Sequence, residues 1–197
     1  AYIEEHPEAG TVILFGCPSE EKGDGKAIMA REGVFDGVDA AFTWHPGDKN
    51  AIWSESTLAN VSVFFNFKGV TSHAAAAPEL GRSALDAAEL MSVGVNYLRE
   101  HVDKDCYISD ARVHYAYRDV GGIAPNVVQG HSRVHYFIRA PKSWQVKEIY
   151  KRVVDVAEGA AKMTGTEMTY ELYAGLSDYI PNHVLSEVLH ESMEEIG

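Results

Sequence analysis

Long apolar runs, cysteine and positive charge are all scarce in this chain of 197 residues. No stretch approaches the roughly 18 to 20 apolar residues that cross a bilayer. No charged start followed by an apolar segment reads as a secretion signal, so no membrane partner is expected. Two cysteines, Cys17 and Cys106, are too few for a disulfide framework and fit reduced thiols in a cytoplasmic setting. Lys and Arg number 17 against 29 Asp and Glu, a net charge of −12. Such a surface repels phosphate backbones and removes nucleic acid from the expected partners. There is no internal repeat and no low-complexity tract. What remains, 46% apolar and 23% charged residues, is the composition of a folded globular protein. The chain opens on AYIEEHPEAG and closes on VLSEVLHESMEEIG. Both are helical in pattern, with no initiator methionine, leader or tail, so the chain reads as an internal piece of a longer protein.

The first part reads as alternating helix and strand. AYIEEHPE is a short helix end, TVILFG (11–16) a continuous apolar strand of the kind covered on both faces, and 25–32 a helix closed by Gly33. VDAAFTW (38–44) is the next strand, and 50–60 is extended. The pattern changes near Asn60. Val61, Val63, Phe65 and Phe67 alternate with Ser62, Phe64, Asn66 and Lys68, the mark of a half-buried strand. A helix over about 82–102 follows, with Ser83 and Asp86 as a capping box and an apolar stripe of Leu85, Ala88, Met91, Val95, Leu98 and Val102. Two alternating strands, about 110–118 and 131–140, are joined by the loop VGGIAPNVVQG. A helix over about 144–163, opened by Ser143 and closed near Gly165, buries Val146, Ile149, Val153, Ala157 and Ala160. TEMTYELYAG (166–175) is the last strand. The order β-α-β-β-α-β is that of a ferredoxin-like unit. The expected layout is therefore a partial α/β domain over 1–60, an inserted α+β ferredoxin-like domain over 61–176, and a return to the first domain over 177–197.

The candidate chemistry begins at Glu20 and Glu21. Adjacent carboxylates in a strand-to-helix turn are ordinarily a solvated charge pair. Here they sit at the carboxyl end of an expected strand, where open α/β sheets form ligand sites, among the small residues Cys17, Pro18, Ser19, Gly23 and Gly25. FTWHPG brings His45 to the end of the next expected strand. A carboxylate and an imidazole could ligate a metal, leaving the second carboxylate to act as a base on a metal-bound water. Two like charges tolerate each other when a dication neutralises one of them. His73 lies in a small-residue turn before a helix, where a locally hydrogen-bonded histidine is equally natural. Asn126 follows Pro125 in a loop with paired glycines that could be a plain hairpin connection. Arg139 shares a face with Arg133, His135 and Phe137, a face too polar for a core and therefore solvated or ligand-binding. An arginine can clamp a carboxylate through two parallel hydrogen bonds. His101, His114, His131, His183 and His190 read as structural or surface residues, and Tyr115, Tyr117, Tyr136 and Trp144 as packing residues.

Taken in order and spacing, GCPSEEKGDGK, TWHPG, FKGVTSHAAAAPELGRSALDA and GGIAPNVVQGHSRVHYFIRA resemble the aminoacylase/carboxypeptidase-type di-metal hydrolases, in their amidohydrolase branch. The resemblance covers nearly the whole chain. It implies a partial α/β catalytic domain with an inserted lid and dimerisation domain, and cleavage of an N-acyl or N-aroyl amino acid, with p-aminobenzoyl-glutamate the leading substrate. It gives Glu20 as general base, Glu21 and His45 as ligands of the two metals (zinc or manganese), and His73 and Asn126 as oxyanion-steadying residues, often contributed to the partner subunit. It gives Arg139 as holder of the substrate carboxylate and Gly122 as a place where substrate nears the backbone. It further implies a homodimer through the inserted domain, by an edge strand and the long helix, with a sister subunit as a further partner. The family's remaining metal ligands fall outside these 197 residues, so the piece alone is expected to be inactive. An N-acyl-amino-acid hydrolase of other acyl preference, a non-catalytic scaffold subunit and a metal-free binding module are the alternatives.

Overall fold

The computed structural model describes residues 5–6, 10–22, 25–102 and 111–197. The chain divides into two compact units, 1–45 and 46–197. The expected helix at the amino terminus, apart from Glu5 and His6, and Cys106 lie outside the described residues.

In the first unit, one turn of 3₁₀ helix spans Glu20–Lys22 and helix α1 spans Gly25–Arg31. Gly33 closes α1 in the left-handed conformation, φ 75°, and its N–H bonds the carbonyl of Ala30 at 3.1 Å. The strands expected at 11–16 and 38–44 are not formed. The segments are irregular, and Val12, Leu14 and Trp44 are 78%, 96% and 83% exposed. An apolar stretch becomes a strand only when neighbours take up its backbone N–H and C=O groups. Among the described residues no strand flanks these two.

The second unit holds the core. Its elements are β1 (Ala59–Lys68), α2 (Ala84–Leu98), β2 (Arg112–Asp119), β3 (His131–Ala140), α3 (Ser143–Thr164), β4 (Glu167–Leu176) and α4 (His183–Ile196). The four strands make one antiparallel sheet in the order β2-β3-β1-β4. Both α2 and α3 cover the same face. Val63, Phe65 and Phe67 of β1 and Val134, Tyr136 and Ile138 of β3 point into that layer, against Ala87, Ala88, Met91 and Val95 of α2 and Ile149, Val153 and Ala157 of α3. The Tyr136 hydroxyl reaches Ser92 Oγ at 3.3 Å, and burial pushes its ionisation far up. Tyr115 stacks on Tyr136 at 5.2 Å, whereas Trp144, expected to pack, is more than half exposed.

Ser83 caps α2 by accepting from the Asp86 N–H at 3.1 Å and spends its own hydroxyl proton on Gln129 Oε1 at 3.0 Å. The start of α3 differs from expectation. Lys142 is the cap residue, and Ser143 is already helical. Asp178, arriving from beyond β4, accepts the Ser143 N–H at 3.0 Å and its hydroxyl at 2.8 Å, and pairs with Lys142 Nζ at 3.0 Å. A carboxylate there satisfies a donor that the first helical turn leaves without a partner. These bonds, the Ser143 hydroxyl first and Lys142 next, hold Asp178 well below the usual carboxylate range. A depressed folded-state value means stability present above the ordinary carboxylate range and lost as pH falls below it. Asp178→Ala should therefore lower the thermal midpoint at neutral pH, and the gap from wild type should close in acid. A gap that stays constant from neutral to acid would show that the charge of Asp178 does not matter.

Candidate functional site

In the first unit, Glu20 and Glu21 occupy the 3₁₀ turn and are exposed. The turn is tight. Ser19 is left-handed at φ 60°, and a side chain at Gly25 would run into the Pro18 carbonyl, so only glycine lets the chain double back. His45, at the end of the unit, is also exposed. Among the described residues no group of three or more His, Cys, Asp or Glu side chains is placed to hold a metal ion. Glu21 and His45 alone do not make a metal centre.

In the second unit, two loops that are distant in sequence are laced together by backbone hydrogen bonds. Gly69 N–H donates to Gly130 O at 2.8 Å, Ala74 N–H to Asn126 O at 2.9 Å and Val128 N–H to Ser72 O at 2.9 Å, with His73 bridged to Val127. A Cβ at Gly69 would meet the Arg82 carbonyl, so glycine is required for this crossing. The lacing brings His73 and Asn126 side by side at the Lys68/His131 end of the sheet, both exposed.

The ring of His73 is held by its own turn. Nδ1 accepts from Ala75 N–H at 3.2 Å and from Ala76 N–H at 3.1 Å. With that lone pair engaged, the ring proton belongs on Nε2. His73 thus presents one outward N–H donor, the group an oxyanion needs. Gly122, at φ 120°, has a backbone that other residues rarely adopt, and nothing lies within 4 Å of where its Cβ would stand.

Arg139 is not part of this cluster. It stands opposite Asn60, near the other end of the sheet. That is also where the chain enters and leaves the sheet, with Ser56 Oγ donating to Tyr179 O at 2.7 Å. At a rise of about 3.3 Å per residue, His131 and Arg139 of β3 are roughly 26 Å apart. One copy of this domain therefore does not bring Arg139 and His73 to a single small substrate.

The face of the sheet away from the helices carries Arg133, His135, Phe137 and Arg139, as their alternation predicts. It is less solvated than expected. His135 is buried, stacked on Phe64 at 4.1 Å, and its Nε2 lies 2.7 Å from Ser62 Oγ. Arg118 Nη2 approaches Nδ1 at 3.4 Å, which leaves the proton on Nε2 to be donated to Ser62. Burial, and then Arg118 and Arg133, lower the pKa of His135, so the ring is neutral near pH 7. Arg133 lies over the Phe64 ring at 4.0 Å and pairs with Glu171 at 2.9 Å. Phe64, at an outward position of β1, was the sequence signal for this shelf; its partners, far apart in the chain, are joined only by strand register.

Residues 47–164, more than half of the chain, match the family described as the Peptidase dimerisation domain. Over its full length the chain is 47% identical to one of the p-aminobenzoyl-glutamate hydrolase subunits of Escherichia coli (strain K12) and spans 40% of that protein. It is 32% identical to Xaa-Arg dipeptidase of Mus musculus over 97% of this chain and 43% of that one. Among solved structures, the aminobenzoyl-glutamate utilization protein from Klebsiella pneumoniae superposes with a TM-score of 0.56 at 23% identity, over 68% of this chain and 33% of that one. That last likeness is one of fold. The chain thus spans less than half the length of the curated relatives it matches. With the match covering more than half of its residues, this chain belongs to the Peptidase dimerisation domain family.

Proposed function

We propose that the full-length protein is an amide hydrolase that cleaves p-aminobenzoyl-glutamate to p-aminobenzoate and glutamate. The observation that carries this reading is the His73 turn, in which two backbone amides donate to Nδ1 of an exposed ring on the loop bonded to Asn126 O, which leaves Nε2 as the donor. A donor held in place by its own turn suits an amide carbonyl whose oxygen gains charge as water adds. The name carried by the 47% identical relative supplies the substrate. Residues 1–60 and 177–197 are assigned to a catalytic α/β domain and 61–176 to a ferredoxin-like insertion. Two divalent ions, zinc or manganese, belong to the full-length protein, with Glu21 and His45 among their ligands. Glu20 is the base that takes the proton from the attacking water and hands it to the leaving amine. Arg139 holds the substrate carboxylate, Gly122 lets the substrate near the backbone, and His73 with Asn126 steadies the oxyanion.

The working unit is a homodimer, cytoplasmic, with no nucleic acid or membrane as partner. Along α2, Leu90, Val93 and Tyr97 are exposed at spacings of three and four, on the helix whose Ser92 bonds Tyr117 of the edge strand β2 at 3.0 Å. A strand edge that no strand pairs among the described residues, beside an apolar helix stripe, offers a second copy both backbone and side-chain partners. Among the described residues no helix is long and apolar enough to cross a membrane.

The test is p-aminobenzoate release by the full-length protein, read beside its metal content. Turnover with two metals per chain is the expected result. Bound metal or none, but no turnover on any N-acyl amino acid, would leave a scaffold subunit as the better account.

A further inference from the structure

The loop 120–130, which carries Gly122 and Asn126, leaves the sheet at Asp119, the last residue of β2. Its return limb is held several times over. Ala84 N–H donates to Gln129 O at 2.8 Å and Ser83 Oγ to Gln129 Oε1 at 3.0 Å, besides the bonds that lace Val128 and Gly130 to the His73 loop. Among the described residues the outgoing limb is hydrogen-bonded at its base by Asp119 alone. Gly121 N–H donates to Asp119 Oδ1 at 2.8 Å, and Oδ2 of the same carboxylate lies 3.0 Å from His131 Nε2. One side chain thus joins the end of β2, the start of β3 and the second residue of the loop between them.

The crossing is tight. Gly121 is left-handed at φ 78°, and a Cβ there would run into the His131 carbonyl, so only glycine brings the limb this close to β3. The Gly121 N–H above all, with His131 helping, holds the Asp119 carboxyl below the usual carboxylate range. The neighbouring cations are taken up elsewhere: Lys68, opposite His131, by Glu167 at 3.1 Å, and Arg133, opposite Asp119, by Glu171 at 2.9 Å. Neither competes for Asp119. Asp119 and His131 are largely exposed, and an exposed ion pair adds little to stability. What the clamp fixes is position. A limb released at its base would swing at Gly122, whose φ of 120° marks a backbone with glycine's freedom. Beyond it, Ala124 and Pro125 are stiff, so the swing would be carried to Asn126.

We propose that Asp119 is the positioning residue for Asn126: its carboxylate, steered by His131, pins Gly121 and so sets where the oxyanion-steadying side chain stands. The assignment rests on the hydrolase reading above and adds to it a residue that acts through the loop and not on the substrate.

The experiment is steady-state hydrolysis of p-aminobenzoyl-glutamate by full-length variants, with the thermal midpoint of each. Asp119→Ala should lower kcat on the order of 10- to 100-fold, the scale on which a misplacement of about 1 Å acts, with KM and the thermal midpoint close to wild type. Asp119→Asn, which keeps an oxygen for the Gly121 N–H, should recover most of kcat. Joined to Asn126→Ala, Asp119→Ala should cost little more than Asn126→Ala alone, because residues that act as a unit are not additive. Unchanged kcat in Asp119→Ala, full additivity with Asn126→Ala, or a kcat that falls only together with the thermal midpoint would overturn the positioning role alone. Wild type that does not hydrolyse the compound would overturn the hydrolase reading and the positioning role with it.

Discussion

Full-length His73→Ala subunits mixed with Glu20→Gln subunits are expected to recover roughly a quarter of wild-type turnover, as for freely pairing two-fold dimers. Each variant alone should stay orders of magnitude down; loss of one oxyanion donor typically costs about 10²- to 10³-fold. Random pairing makes half the dimers mixed, and each mixed dimer has one site with both an intact base and an intact histidine. The expectation comes from the length of the sheet. His73 and Asn126 are laced together where β1 ends and β3 begins. Arg139 lies at the opposite end, where Ser56 and Tyr179 bring the chain in and out. A substrate the size of an aroyl amino acid does not bridge roughly 26 Å of strand. The Arg139 end and the His73 end thus serve different substrates unless two copies are combined. No recovery on mixing, with dimers shown to exchange, would mean that His73 acts within its own chain or not at all.

The sequence was most legible where a single element decides its own face. For α3 the five residues read as its inner stripe, Val146, Ile149, Val153, Ala157 and Ala160, are all buried. In α2 the stripe holds at Ala88, Met91, Val95 and Leu98 and misses at one place. Leu85 is only partly buried, while Ala84, Ala87 and Ala88 are fully so. At Gly94 a Cβ would come within 2.7 Å of Val156 Cγ1, so the two helices approach too closely for a larger side chain there. Spacing within one helix does not report that distance. Strands 11–16 and 38–44 failed for a related reason, because an apolar run fixes a preference and pairing fixes the strand. The site divides in the same way. The positions of Glu20, Glu21, His45, His73, Asn126 and Arg139 were marked by motif, but two relations depended on register and loop lacing: His73 beside Asn126, and Arg139 beside Arg112 and Asn60. Those contacts join residues from separate strands and loops, and no local pattern encodes them.

Glu20→Gln in the full-length protein should keep the metal content of wild type while turnover falls about 10²- to 10⁴-fold, the range of a lost general base. The substitution preserves shape and removes the charge and the proton-accepting oxygen. The turn that carries Glu20 is set by its backbone, through the left-handed Ser19 and the space only glycine leaves at position 25, not by the exposed Glu20 side chain. The variant should therefore fold and unfold like wild type. Glu21→Gln should behave differently, losing metal and activity together, because a neutral amide is a poor ligand where a carboxylate neutralised a dication. The two neighbours thus give opposite metal readouts if one moves protons and the other binds the ion. A matching loss of metal from both variants would make both carboxylates ligands and leave the proton to be carried by another group. Unchanged turnover in Glu20→Gln would return the pair to the solvated charges that their exposure alone suggests.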